Sequence, residues 1–264
     1  MLHAEAPADF QLHRYPVGPA LAPWLDFHWL IEWDLPPGQV HVQRVLPYPN
    51  THLVFEAGLT ALHGVARGVF VRRLEGRGRV HGLRFKCGGL RPWLNQSVQS
   101  LTGRQLLVHQ GMTGITAARV QQVEAALMAA HSDQQAVDMA EALLLTQLPA
   151  ADSAPLELDA AVQQVMRDPG LIRVAQLQAL LGLSERALQR SFAEQIGVSP
   201  KWVIQRARLQ DALQALAQAE CPSLAELAVT LGFCDQAHFS RCFRQTTGQT
   251  PALYRRQFSA PASA

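Results

Sequence analysis

A pattern stated twice constrains this chain more than any other feature. Val174-Ala-Gln-Leu-Gln-Ala-Leu-Leu-Gly182 aligns with Leu224-Ala-Glu-Leu-Ala-Val-Thr-Leu-Gly232, fifty residues later. The stretches Ser184 to Pro200 and Asp235 to Pro251 then run in parallel, after one extra loop residue in the second copy. Each copy reads as helix, glycine turn, helix. Two helices joined by a short Gly-containing turn make a helix-turn-helix, whose second helix can enter the major groove of DNA. One such pair alone would be an ordinary structural unit. Two units that repeat the core positions, the glycine and the polar face imply two equivalent tasks.

In the first copy Val174, Leu177, Leu180 and Leu181 follow helical apolar spacing. Gly182 stands where a helix ends in a left-handed residue, and Ser184 is placed to cap the next helix. That helix is expected to bury Leu188, Phe192 and Ile196 and to present Arg186, Gln189 and Arg190 on its other face. Arg and Gln suit bidentate contact with guanine and adenine edges. In the second copy Phe239 and Phe243 take the buried places, leaving Gln236, Ala237, Ser240, Arg241 and Arg244 outward. Between the copies, Gly197-Val-Ser-Pro200 stops one helix and starts another, with Ser199 as N-cap and Pro200 at the first helical position. From Lys201 to about Gln218 nothing breaks the helix, which at 1.5 Å per residue would be roughly 27 Å long. A rod of that length could hold two recognition helices near the ~34 Å repeat of a DNA turn. Cys221-Pro222-Ser223 then breaks it and caps the next helix.

Gly232-Phe-Cys-Asp-Gln-Ala-His-Phe-Ser-Arg-Cys-Phe-Arg, followed by Gly248-Gln-Thr-Pro251 and Tyr254-Arg255, resembles the signature of AraC/XylS-type bacterial transcription regulators. The resemblance covers residues 157 to 258. It implies a seven-helix DNA-binding domain with two helix-turn-helix units and double-stranded DNA as partner, with RNA polymerase a further candidate. Carried over by position, it puts Arg186, Gln189 and Arg190 on the base-reading face of the first recognition helix, and Gln236, Ala237, His238, Ser240 and Arg241 on the second. Ala237 and Ala193 stand where longer polar or basic side chains are frequent, so contacts there are expected to be weak or absent. Arg244 is placed for a phosphate, as are the amides near Ser199 and Thr250. The first copy is therefore expected to carry more of the sequence specificity than the second.

Composition alone would not have suggested DNA, since the formal net charge is +2 over 264 residues. From Pro169 onward there are ten Lys and Arg against six Asp and Glu, a local excess of +4. That balance implies modest non-specific affinity and a shallow salt dependence. A hydrophobic content of 48% with 17% charged residues implies folded cores throughout, with disorder expected only in the first residues and in the tail from 259 to 264. No apolar run is long enough to span a bilayer and the start of the chain does not read as a secretory signal, which points to a soluble cytoplasmic protein without a membrane partner. Cys87, Cys221, Cys234 and Cys242 are spaced too irregularly for a disulfide framework or a metal knuckle and read as reduced thiols.

The proline-flanked stretch Leu148-Pro-Ala-Ala-Asp-Ser-Ala-Pro155 marks a linker, taken as residues 149–156, between a domain of residues 1–148 and one of 157–258. Before it, Gln39 to Val45, Thr51 to Phe55, Gly68 to Arg72 and Arg79 to Phe85 alternate apolar with polar residues between Gly, Pro and Asn, a strand pattern. Strands of this number favour an antiparallel barrel or sandwich. Residues 116–130 and 134–147 read as amphipathic helices, with Val120, Val123 and Leu127, then Val137, Ala140, Leu144 and Leu148, on one stripe each. Such stripes serve either a core or a homodimer interface. The expected fold class is thus α+β: a β-barrel or cupin-like N-terminal domain with two following helices, then an all-α domain with two helix-turn-helix units. The family resemblance makes the first part a sensing or oligomerising domain that adjusts DNA occupancy.

Two readings of that N-terminal part stay open. Trp24, Trp29 and Trp33, with Phe27, concentrate rings that would wall a small-molecule effector pocket or simply fill the core. The basic stretch Arg72 to Arg79 is a solvated hairpin or a site for an anionic effector. A cupin-type metal enzyme fused to a degenerate DNA-binding module is the alternative function. It would need a His-x-His pair with further ligands, whereas His28, His41, His52, His63 and His81 are scattered singly. No nucleophile elbow, P-loop or dinucleotide fingerprint is present, so catalytic, metal and cofactor residues are all expected to be none.

Overall fold

The computed structural model describes residues 10–151, 155–218 and 220–259. The expected disordered start and end, and the middle of the proline-flanked linker, lie outside the described residues.

Eight strands form the N-terminal part: β1 (Phe10–Tyr15), β2 (Leu25–Asp34), β3 (Val40–Val45), β4 (His52–Phe55), β5 (Ala61–His63), β6 (Phe70–Glu75), β7 (Arg77–Phe85) and β8 (Gln105–Leu107). Six make an antiparallel sheet in the order β1-β2-β7-β4-β5-β8, while β3 and β6 pair only with each other. The α+β class stands, but the sheet is not closed into a barrel. Gly76, at φ +56°, turns the chain between β6 and β7 while putting them in different sheets, so the ladder that would join the sheets there is missing.

The sequence pattern passed over β2 because both of its faces are covered and the alternation of a half-exposed strand is lost. Leu30 packs with Leu83, Phe85, Val123, Val137 and Ala140 in the main core, beneath the helices α2 (Ala117–Met128) and α3 (Asp133–Leu145). A one-turn helix, α1 (Val108–Gly111), precedes them. Thr116 and Ser132 accept from the amides of Arg119 and Gln135 and so cap α2 and α3. Val120, Val123, Leu127, Val137, Ala140 and Leu144 are buried as their spacing predicts. Leu148 is a correction: α3 ends at Leu145 and Leu148 is 46% exposed. On the other face of β2, Phe27, Trp29, Ile31 and Trp33 point toward β3 and β6.

Helices make the C-terminal part: α4 (Leu156–Arg167), α5 (Val174–Leu181), α6 (Glu185–Ser191), α7 (Pro200–Leu216), α8 (Leu224–Thr230), α9 (Gln236–Thr247) and α10 (Pro251–Ser259). Helix α6 continues through a π-helical turn, Phe192–Ile196, before Gly197 at φ +94° stops it. The spine is α7, whose two halves belong to different cores. Val203, Ile204 and Ala207 pack with Leu177, Leu188, Phe192 and Ile196, whereas Leu209, Ala212, Leu213 and Leu216 pack with Leu227, Phe239 and Phe243. One rod thus carries both helix-turn-helix units.

The two parts are joined by polar contacts as well as apolar ones. Thr102 donates to the Gly197 carbonyl at 2.6 Å, the Cys87 amide donates to Asp159 at 2.8 Å, and Arg91 pairs with Glu194 at 2.5 Å. Arg206 donates through Nε to the Pro47 carbonyl. Val65 and Cys87 enter the first helical core and Leu46 packs on the second.

Candidate nucleic-acid interface and inter-domain cavity

Both units are built by the same local chemistry. Gly182 and Gly232, at φ +63° and +69°, terminate α5 and α8 in the left-handed region that side chains other than glycine avoid. Ser184 then accepts from the Ala187 amide and Asp235 from the His238 amide, starting α6 and α9. Leu188, Phe192, Phe239 and Phe243 anchor those helices in the two cores. Leu180 departs from the expected stripe: it is 43% exposed, because the short α5 packs through Leu177 while Val174 and Leu181 are half-buried beside it.

On the outward face of α6, Arg186, Gln189 and Arg190 are all exposed. Gln189 donates to Glu185 at 3.1 Å, which leaves its carbonyl and one N–H for another partner. On α9, Gln236, Ala237, Arg241 and Arg244 are exposed and Ser240 is half-buried. Arg186, Arg190, Arg241 and Arg244 take part in no ion pair among the described residues. His238 sits differently from its neighbours: its ring is half-buried, edge-on to Phe233 at 5.5 Å, with Nδ1 buried and without a partner. That packing turns the ring toward the helix-turn-helix core.

Arg208, which the pattern of the repeat does not mark, ties the units together. From α7 it donates to the carbonyl of Ile172, ahead of α5, and at 3.0 Å to the carbonyl of Gly232 in the second turn, with Phe233 beneath its guanidinium at 5.7 Å. Burial lowers its pKa from the usual arginine value.

A cavity of about 620 Å³ lies between the six-stranded sheet, the β3–β6 pair and α7. Trp29 and Trp33 line it, together with Phe27, Arg84 and Arg206. Trp24 does not: it is buried on the far side of the sheet, edge-on to Trp93 at 5.7 Å. The residue follows β1 at a bend just before β2, and there the chain turns it into the helix-covered core. Tyr48 lies under the Arg84 guanidinium at 4.4 Å, and Arg84 donates to Asn50 at 2.9 Å. The basic stretch Arg72 to Arg79 is the end of β6 and the start of β7, and its charges are matched: Arg72 pairs with Glu56, Arg73 with Glu75, and Arg79 with Glu32 and Asp133.

Folding also pairs histidines that are remote in sequence. His28 and His81 are fully buried, with Nδ1 of the first 3.0 Å from Nε2 of the second, and His28 Nε2 lies 3.0 Å from Glu141 of α3. If His28 donates to Glu141, its Nδ1 must accept from His81, leaving His81 Nδ1 as the lone pair without a partner. His52 faces His63 across β4 and β5 and accepts from the Trp29 indole at 3.1 Å. Burial lowers the pKa of all four, to about 3 for His52 and His81. Among the described residues no three His, Cys, Asp or Glu side chains converge in a way that could hold a metal ion, and no helix is long and apolar enough to cross a membrane. The four cysteines are free thiols.

Two family models match the chain: a helix-turn-helix domain over residues 177–257 and a domain of unknown function, DUF6597, over residues 13–107. The transcriptional activator NphR of Rhodococcus sp is 29% identical over 194 residues, which is 72% of this chain and 54% of NphR. The probable transcriptional regulator LumQ of Photobacterium leiognathi is 34% identical over 31% of this chain and 33% of its own length. The ornithine utilization regulator of Pseudomonas aeruginosa is 39% identical over 28% and 22%. The chain thus spans about half, or less, of the length of the curated relatives it matches. Among solved structures, a probable AraC family transcriptional regulator from Rhodopseudomonas palustris aligns with 38% of this chain and 99% of its own at 29% identity and a TM-score of 0.34. ToxT from Vibrio cholerae aligns with 96% of this chain and 100% of its own at 11% identity and a TM-score of 0.40.

Proposed function

We propose, from the premise that residues 177–257 are an AraC-type helix-turn-helix domain, that this chain is a sequence-specific DNA-binding transcriptional regulator whose occupancy is adjusted through its N-terminal domain. The observation that carries the reading is the pair of units on one helix: α6 and α9 each bury an aromatic and aliphatic stripe and each turn unpaired arginines outward, with α7 fixing one against the other. Arg186, Gln189 and Arg190 are assigned to base edges in one major-groove segment, and Gln236, Ser240 and Arg241 to the next. His238 is assigned a smaller part because its ring packs on Phe233. Arg244 is assigned to a phosphate.

The inter-domain cavity is the proposed effector site, with Trp29 and Trp33 in its wall. Its far side is α7 itself, so an occupant would touch the frame that spaces the two reading helices. RNA polymerase and a second copy of the chain are the other proposed partners, and a regulator of this kind works in the cytoplasm. The reading assigns the chain no reaction of its own. Stoichiometric iron, manganese or zinc in purified protein would favour a cupin-type enzyme instead. The function is tested by selecting bound sites from random double-stranded DNA with the full chain. A two-part motif in adjacent major-groove segments is expected, and enrichment of no motif would overturn the proposal.

A further inference from the structure

We propose that the inter-domain cavity takes an organic anion with an apolar body, and that Arg206 of α7 receives the negative group. The inference rests on the regulator reading above and specifies the chemistry of its effector. Four arginines line the cavity, Arg14, Arg72, Arg84 and Arg206, and no aspartate or glutamate does so among the described residues. Three of the four are accounted for. Arg72 is matched by Glu56, Arg84 by Asp26 at 3.3 Å, and Arg14 lies exposed over the Phe27 ring.

Arg206 is different. It is 4% exposed and pairs with no carboxylate among the described residues. Its Nε donates to the Pro47 carbonyl and its Nη2 to Gln210 at 3.1 Å, but Nη1 is buried with no acceptor. A guanidinium taken out of water without a counter-charge is costly, and an anion in the adjoining space would remove that cost. Burial already lowers the Arg206 pKa to about 10, which still leaves it charged at neutral pH. The rest of the wall, Trp29, Trp33, Phe70 and Leu213, offers rings and aliphatic carbon to the body of the ligand. The volume, about 620 Å³, holds a small organic molecule, and an inorganic anion would leave most of the apolar wall uncovered.

The consequence is direct coupling. Arg206 sits between the half of α7 that packs in the first helix-turn-helix core and the half that packs in the second. A ligand held by it bears on both units without an intermediate element.

The test is calorimetric titration of the full chain with two matched pairs of probes: 4-phenylbutyrate against 4-phenylbutanamide, and decanoate against decanamide. At least one acid is expected to bind ten-fold or more tightly than its amide, and which pair shows it tells an aromatic body from an aliphatic one. Arg206→Gln should abolish the preference, while Arg206→Lys should keep part of it. If Arg206→Gln does not fold, the acid-to-amide ratio of the unsubstituted chain and of Arg206→Lys decides. Equal affinity within both pairs, no binding of either acid at millimolar concentration, or a preference that survives Arg206→Gln would overturn the inference. The same preparations are titrated with the selected DNA site. A chain that binds that DNA but prefers neither acid loses its anion site and keeps its reading as a regulator.

Discussion

Arg190 and Arg241 occupy matching places on α6 and α9, exposed and without ion-pair partners among the described residues. Substituting either by Ala should cost about 1–3 kcal/mol at the selected site and change binding to random DNA little. Competition binding with selected and scrambled duplexes measures both numbers, and an equal loss on both would mean phosphate contact instead. These residues were legible in the sequence because helical spacing and the duplicated core fix which side of each helix is turned outward. His238 was less so. Its spacing puts it near the reading face, yet the aromatic partner that draws it inward, Phe233, becomes its neighbour only when the turn at Gly232 folds back. Arg206 and Arg208 were invisible for a related reason. On a helix rich in Gln, Ala and Arg they look like solvated charges, and only the loop at Pro47 and the carbonyls of Ile172 and Gly232 reveal them as internal struts.

Among the elements, α7 and the glycine stops govern how the reading helices are held. Arg208→Leu should remove two hydrogen bonds from a charged donor, at about 1.5–3 kcal/mol each, and loosen the spacing of the two units. Binding to sites whose half-site separation is changed by one base pair reports this: the unsubstituted chain should discriminate sharply, the variant weakly. Gly197 and Gly182 make a contrast, since both have positive φ but differ in surroundings. A Cβ at Gly182 meets nothing within 4 Å, so Gly182→Ala should cost only the left-handed strain of about 1–2 kcal/mol. At Gly197 the Cβ would lie 2.8 Å from Thr102 Oγ1 and 3.0 Å from the Val98 carbonyl. Gly197→Ala should therefore be the more destabilising of the two in urea titration, and it should disturb the seam with the N-terminal part. Helices α2, α3, α5, α6, α8 and α9 followed from capping residues and periodicity. Strand β2 and the open sheet did not, because burial on both faces erases alternation and strand order depends on contacts far apart in the chain.

At the scale of the whole molecule, the seam between the two parts turns a sensing domain and a reading domain into one mechanical unit. Thr102, Cys87, Arg91 and Pro47 each contact a residue of the helical part, and the proposed effector cavity is completed by α7. The buried histidines make that unit sensitive to acid. His52 and His81, lowered by burial to about 3, stay neutral when folded over a range in which the unfolded chain, with histidines near 6.5, takes up protons. Stability should consequently fall as pH drops below about 6.5, at roughly 1.4 kcal/mol per pH unit for each such histidine, and stay level with respect to them above it. Four of the five tryptophans lie before residue 100, so fluorescence-detected urea unfolding at pH 7.5, 6 and 5 follows the relevant domain. An unchanged midpoint would mean that protonated histidines find partners in the folded state.

The central claim is that two helix-turn-helix units on one rigid frame read two adjacent stretches of DNA. It is tested most directly by measuring the affinity of the full chain for its selected duplex, for the same duplex with either half-site scrambled, and for one with both scrambled, at fixed salt. The account predicts that each single scramble weakens binding, the half-site of α6 more than that of α9, and that both together bring it to the level of random DNA. Affinity that is indifferent to one half-site, or undiminished when both are scrambled, would contradict it.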